Sequence, residues 1–240
     1  MTISTEQRRL LSSVHQWFAQ PEQVQQYQQG IHQSLTQAEA WLLRDIACGA
    51  TVLDIGCGGG RVTNVLVQRG CRVIGTDVSR PLLNSARQAF RQTGLSVDLV
   101  EIESHLLPFA DHTFDHVLLF KLYCYIPTRV LRLAYLQELQ RVLVSKGSLW
   151  MIQYIVPVED LFHAYDEPYA TFAAKYTTLE PGDTFTSGEE GGAYVHWFTA
   201  QSLREELEQS GFSIALFEDD RQWGGDGFLA LVHLTKEICS

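Results

Sequence analysis

Val52-Leu53-Asp54-Ile55-Gly56-Cys57-Gly58-Gly59-Gly60-Arg61 is the stretch around which the rest of the chain is read. A short apolar run ends in a glycine cluster, and Arg61 to Arg69 then follows the pattern of a helix. That is a strand, a tight turn and a helix start in close succession. Glycine tolerates positive φ and lets a ligand lie directly on the backbone. The helix start behind it offers unpaired N–H groups and a partial positive charge. Such a corner suits a polar ligand, and the glycine spacing narrows which one. A dinucleotide turn needs G-x-G-x-x-G. Here Gly56, Gly58 and Gly60 give G-x-G-x-G, and Arg61 stands where the last dinucleotide glycine belongs.

Moving outward, Val62, Val65 and Leu66 make a helix stripe closed by Gly70, a natural C′ residue. Arg72 to Asp77 reads as a second strand, and a β-α-β unit returns Asp77 beside the glycine turn. A carboxylate there can accept both hydroxyls of a ribose. Ser79 and Pro81 open the next helix, so a helix N-terminal acid is the other role open to Asp77. Val78 offers an apolar face to a base. Helix Arg80 to Arg91 turns Leu82, Leu83, Ala86, Ala89 and Phe90 inward, and strand Ser96 to Ile102 follows. After Glu103 and Ser104 come Leu107-Pro108-Phe109 and then Phe114-Asp115, which opens a fourth strand, Phe114 to Phe120. That strand is almost wholly apolar, as one buried on both faces should be. Thr128 caps a long helix, Arg129 to Val144, which ends at Ser145-Lys146-Gly147 before a fifth strand, Ser148 to Val156.

The G-x-G-x-G turn with Asp54 two residues ahead, the acid closing strand two, the acid after strand three and Leu-Pro-Phe before Phe-Asp appear in order. Together they resemble class I S-adenosylmethionine-dependent methyltransferases, over residues 38–156 by motif and 197–240 by pattern. The resemblance implies an α/β fold: a Rossmann-like three-layer α/β/α sandwich whose mostly parallel sheet carries an antiparallel C-terminal hairpin strand. It implies S-adenosyl-L-methionine as cofactor and S-adenosyl-L-homocysteine as product. Carried over residue by residue, it places Asp54, Gly56, Cys57, Gly58 and Gly60 in the cofactor turn, with Phe120 closing strand four beside them. Asp77 then takes the ribose and Val78 the adenine face. Glu103, where the family more often has Asp, takes the adenine amino group, with Glu101 as second choice, and the Ser104 backbone N–H meets the ring. Tyr27 is the contact to the ligand's carboxylate. Where the family usually has Pro-Gly-Gly, this chain has Ser-Lys-Gly at 145–147.

The end of strand four, Lys121 to Pro127, faces the ligand crevice of an open α/β sheet. It lacks the Asn/Asp-Pro-Pro-Tyr/Phe sequence of base-amino methyltransferases and the Pro-Cys pair of cytosine-C5 enzymes, so Cys124 reads as a packing residue. Tyr125 sits where many small-molecule relatives carry a His, which makes it a catalytic candidate on the substrate side. Lys121 reads as a solvated lysine.

At the N-terminus, Val24, Tyr27, Ile31, Leu35, Ala38 and Leu42 recur at helical steps, and Pro21 suits a first turn. Residues 1–37 are thus a helical cap on a cofactor-binding core at 38–156, all within a single domain spanning 1–240. Residues 157–196 break the alternation with many aromatics and glycines, and an irregular insertion of that length is usually functional. It is expected to shape the acceptor pocket, with a homodimer contact or core extension as the alternative role. His196 at its end is a candidate base for an acidic acceptor, ahead of His163. A C-terminal helix and hairpin occupy 197–240: Phe198 and Leu203 staple a helix N-cap at Thr199, and strands Phe212 to Phe217 and Phe228 to Leu234 follow.

A net charge of −10 with no basic cluster speaks against nucleic acid. Five cysteines without C-x-x-C spacing give no zinc signature, so no metal is expected. No apolar run approaches a membrane span and no signal-peptide core is present, so a soluble cytoplasmic protein is expected. The expected activity is methyl transfer to O, N or C of a small-molecule acceptor. The competing readings are a nicotinamide-dependent oxidoreductase, opposed by Arg61 and the Leu-Pro-Phe stretch, and a non-catalytic S-adenosylmethionine-binding interaction protein.

Overall fold

The structure is a computed structural model that describes residues 3–102, 106–158, 175–186 and 192–236. Its centre is a seven-stranded sheet in the order β3-β2-β1-β4-β5-β9-β8. The strands are β1 Thr51–Ile55, β2 Arg72–Asp77, β3 Asp98–Glu101, β4 Phe114–Phe120, β5 Leu143–Tyr154, β8 Phe212–Asp219 and β9 Leu229–Lys236. The first five run parallel; β9 is antiparallel to β5, and β8 is antiparallel to β9. Chain order reverses between β1 and β4, which pair directly with Ile55 opposite Leu119. The crevice of an open α/β sheet forms at such a switch point, outside the carboxyl ends of the strands.

Alternation along the buried strands fills both faces. Leu53, Val117, Leu119, Leu149 and Met151 join one apolar cluster with Leu131, Leu136 and Leu139 of helix α6 (Arg129–Val142) and Leu203 and Leu207 of α7 (Ala200–Glu208). Val52, Leu118, Trp150 and Ile152 turn the other way, onto Leu42 of α3 (Gln37–Leu42) and Val62 and Leu66 of α4 (Arg61–Gln68). Helix α5 (Arg80–Gln92) connects β2 to β3.

Two helices precede α3: α1, Thr5–Phe18, and α2, Pro21–Gly30, with Pro21 at its first position as expected. The apolar stripe from Val24 to Leu42 is therefore split. Helix α2 ends at Gly30, and Thr36 and Glu39 form a capping box that starts α3 afresh. Another boundary also differs from the sequence reading. Helix α6 stops at Val142, and Ser145-Lys146-Gly147 lies inside β5 rather than ending a helix. Leu143 pairs with Phe114, the register then shifts before His116, and Lys146 takes a φ of 66°. Lys236 Nζ donates to the carbonyls of Gln140 and Leu143, which satisfies the helix end.

Within the 157–196 insertion the described residues form an antiparallel ribbon, β6 Asp183–Phe185 with β7 Tyr194–His196. Among the described residues no helix is long and apolar enough to cross a membrane.

Candidate functional site

The glycine turn is stitched to the end of β2 by its own backbone. The N–H groups of Gly56 and Cys57 both donate to the Thr76 carbonyl, at 2.8 and 2.9 Å. Gly56 has a φ of 70°, and a side chain there would collide with Leu122, so β1 and the segment after β4 approach closely only because the residue is glycine. Gly58 donates its N–H to Asp77 Oδ2 at 2.9 Å, and Ser79 donates its N–H to Asp77 Oδ1 at 2.8 Å. One lone pair of each oxygen is thereby used and the carboxylate is fixed in orientation. Burial pushes the Asp77 carboxyl up from its ordinary value, with the backbone donors opposing.

Asp54, at the end of β1, is buried and accepts the Thr63 hydroxyl at 2.5 Å. Burial lifts its pKa from 3.8 to about 6, and the nearby Asp77 charge adds to the rise. Arg61, the first residue of α4, turns back onto buried Glu39, with Nη1 at 2.8 Å from Oε2. Burial pushes the Glu39 carboxyl up, but hydrogen bonds from Arg61 and the Thr36 N–H outweigh it and leave it low. This pair keeps the first turn of α3 against the glycine turn.

Aromatic rings complete the wall. Phe18 meets Tyr125 edge-on with ring centroids 5.1 Å apart, and meets Tyr27 at 6.1 Å. Tyr27 lies against Gly58, whose added Cβ would come to 3.2 Å from its ring. Burial raises the pKa of both Tyr27 and Tyr125, so both phenols are neutral at physiological pH. Lys121 follows β4 in a left-handed conformation (φ 57°), its N–H on the Ile152 carbonyl and its Nζ 5.4 Å from the centre of the Tyr154 ring. The glycine turn, Asp54, Asp77, Arg61, Lys121 and the rings of Phe18, Tyr27 and Tyr125 line one cavity of about 1010 Å³.

Residues 52–147 match the model of a family described as a methyltransferase domain. Methyltransferase GfsG of Streptomyces halstedii is 32% identical over 136 residues, 54% of this chain and 47% of that protein. A ubiquinone biosynthesis O-methyltransferase of Agrobacterium fabrum is 37% identical over 70 residues, 29% of this chain and 28% of its own. The chain thus spans less than half the length of these curated relatives. The fold is that of a solved S-adenosylmethionine-dependent methyltransferase from Methanosarcina mazei, with a TM-score of 0.68, 22% identity, and coverage of 82% of this chain and 97% of that one.

The matched segment and the helices before it bring Tyr27, Asp54, Gly56, Cys57, Gly58, Asp77, Val78, Phe120 and Tyr125 to the one cavity. Gly60 stands apart from that lining. It caps α4 at a φ of 85°, and a Cβ there would lie 2.9 Å from the Phe90 ring, so its glycine serves the packing of α4 on α5. Glu103, Ser104 and His163 lie outside the described residues, while Ile102 lines the cavity. Glu101 is engaged by Arg80 at 2.7 Å.

His196 also stands away from the described lining. It is buried, with Nδ1 2.7 Å from Asp183 Oδ1, an oxygen that also accepts the Tyr194 hydroxyl at 2.6 Å. The ribbon that carries it pairs Asp183 directly with His196, so Nδ1 is held by its own strand partner. Cys124 is buried, its thiol pushed up to about 12 by burial, which leaves it packed and un-ionised.

The sequence reading missed three parts of the site. Lys121 is half-buried in the cavity wall and not free in solvent. Glu39 was legible as the end of a Thr-x-x-Glu capping box, but its partner Arg61 is remote in sequence. Residues of α1, His15 among them, line the cavity without any motif to mark them.

The residues fit an adenosyl amino acid. Asp77 retains lone pairs toward the cavity after its two backbone bonds, Gly56, Gly58 and Gly59 present backbone to it, and Asp54 offers a carboxylate to an ammonium.

Proposed function

We propose that this protein is an S-adenosylmethionine-dependent methyltransferase acting on a small-molecule acceptor. One observation carries the reading: the glycine turn, Asp77 and the Tyr125 wall face a common cavity of about 1010 Å³. Ligand pockets commonly run to about 300–1,000 Å³, so this one has room for a cofactor and a modest acceptor together.

The cofactor supplies a methyl group on a sulfonium, whose departure needs no acid. The chain's own part is to bind, align and dry the site. Asp77 accepts the ribose hydroxyls, Val78 and Ile102 flank the base, and Asp54 receives the ammonium of the amino-acid end. Phe18 and Tyr125 exclude water on the acceptor side, and Tyr27 covers the glycine turn. Tyr125, held neutral, orients the acceptor by hydrogen bonding and removes no proton. No proton step is assigned to His196, because it is not among the residues that line the cavity. The name of one curated relative, a ubiquinone biosynthesis O-methyltransferase, supports a small acceptor and makes an oxygen the first atom to test.

Calorimetry with S-adenosylhomocysteine and NADH tests the cofactor, and labelled S-adenosylmethionine with a panel of phenols, acids and amines tests the transfer. Binding of the homocysteine product and not of NADH is expected, and Asp77→Ala should lose it. Tighter NADH binding overturns the reading.

A further inference from the structure

The geometry points to Lys121 as the counter-ion for the carboxylate of the cofactor's amino-acid end. The assignment rests on the cofactor reading above and adds a residue to it. Among the described residues, Arg8, His15, Arg61 and Lys121 bring cationic or protonatable side chains to the cavity. Arg61 is held by both oxygens of Glu39, and Arg8 donates to the Ile3 carbonyl at 3.2 Å. His15 carries charge only when protonated. Lys121 is the remaining cation, and it joins no ion pair among the described residues. Its Nζ rests over the Tyr154 ring, 5.4 Å from the centre.

The backbone gives a second reason. Lys121 follows directly on β4 with a φ of 57°, a region a non-glycine residue occupies at a cost. Its N–H is fixed on the Ile152 carbonyl at 2.6 Å, and the next residue, Leu122, packs against Gly56. The strained residue is thus pinned between β5 and the glycine turn, at the switch point where an open sheet takes its ligand. A glycine would relieve the strain; a lysine stands there instead.

Charge placement gives the third. An α-amino acid end is a zwitterion and needs one anion and one cation. Asp54 lies on the β1 side of the crevice, and Lys121 follows β4 across from it. Tyr27, the residue expected to meet the carboxylate, brings a neutral phenol that can donate one hydrogen bond but no charge. Lys121 supplies the missing charge, in a cavity where a charge-assisted bond is stronger than a neutral one.

Two ligands separate this role from others: S-adenosylhomocysteine, which has the amino-acid end, and 5′-methylthioadenosine, which keeps the adenosine and thioether but lacks it. Calorimetry compares the wild type with Lys121→Met, Lys121→Gly and Lys121→Arg. Lys121→Gly removes the charge while relieving the positive φ, so the turn is not endangered. Both neutral variants should bind S-adenosylhomocysteine about tenfold to a hundredfold more weakly, as loss of one charge-assisted hydrogen bond predicts. Methylthioadenosine affinity should hold, and Lys121→Arg should recover part of the loss. An S-adenosylhomocysteine affinity unchanged in the neutral variants, or an equal fall for both ligands, overturns the assignment while the cofactor reading stands. A wild type that binds neither ligand overturns both.

Discussion

The hydroxyl of Ser79 donates to the backbone carbonyl of Phe18 at 2.9 Å, joining the turn after β2 to the last residue of α1. The same serine gives its N–H to Asp77 at 2.8 Å, so the helical cap and the ribose carboxylate share one residue. Ser79→Ala keeps the N–H and releases the cap. It also removes the N-cap of α5, and each lost bond should cost about 1 kcal/mol. Hydrogen exchange should quicken in the last turn of α1 and in α2 as well as at the start of α5. Unchanged protection in α1 and α2 would show that the bond does not hold the cap.

Asp54 should give cofactor binding a pH step. Its carboxyl is raised to about 6, so it is ionised above that value and neutral below it. A neutral carboxyl cannot pair with an ammonium, so S-adenosylhomocysteine affinity should fall as pH drops through the step. Stability of the ligand-free protein should move the other way. A carboxyl raised in the folded state contributes stability that is complete below its unfolded pKa and lost as pH rises through about 6. Asp54→Asn should remove both slopes relative to the wild type and leave binding weak throughout. Calorimetric affinity and urea midpoints across that range read the two effects separately.

Gly60→Ala should damage the fold and spare the ligand. An alanine there meets both the left-handed φ of 85° and the Phe90 ring at 2.9 Å. The backbone cost alone is about 1–2 kcal/mol, and a domain of this size loses roughly 2–4 °C of Tm per kcal/mol. S-adenosylhomocysteine affinity measured well below the new Tm should match the wild type. A selective loss of affinity with Tm unchanged would return Gly60 to the ligand cradle.

These contrasts show what the sequence could reveal. The buried strands were legible because apolar runs between turn residues leave few alternatives, and Asp77 because a β-α-β unit fixes where a strand end returns. The left-handed backbone of Lys121 leaves no such trace, since lysine is not a residue chosen for that conformation, and the side chain reads as solvated. The orientation of His196 depended on a partner, Asp183, whose pairing is set by a short ribbon with no periodic signal. The end of α6 was misplaced for a related reason. Ser145-Lys146-Gly147 looks like a helix stop, and only the pairing of Leu143 with Phe114 shows that the strand has already begun.

The strongest stability prediction concerns a buried ion pair that the site does not contain but leans on. Arg132 of α6 is 1% exposed; its Nε lies 2.8 Å from Glu206 Oε1, and its Nη2 reaches both Glu206 of α7 and Glu180. The Tyr123 hydroxyl donates to the same Glu206 oxygen at 2.5 Å, so the network anchors the turn that presents Tyr125. Glu206→Leu leaves a buried guanidinium short of its counter-charge and should cost about 3–5 kcal/mol. Arg132→Met should strand the carboxylate at a similar cost. Combining Arg132→Met with Glu206→Leu removes both charges and should recover much of the loss, because replacing a whole buried pair by apolar groups is often nearly neutral. Urea midpoints of the two singles and the double close the cycle. If the single costs simply add, the two side chains are not coupled, and the turn at Tyr125 must owe its position to the stacking of Tyr123 on Phe198 instead.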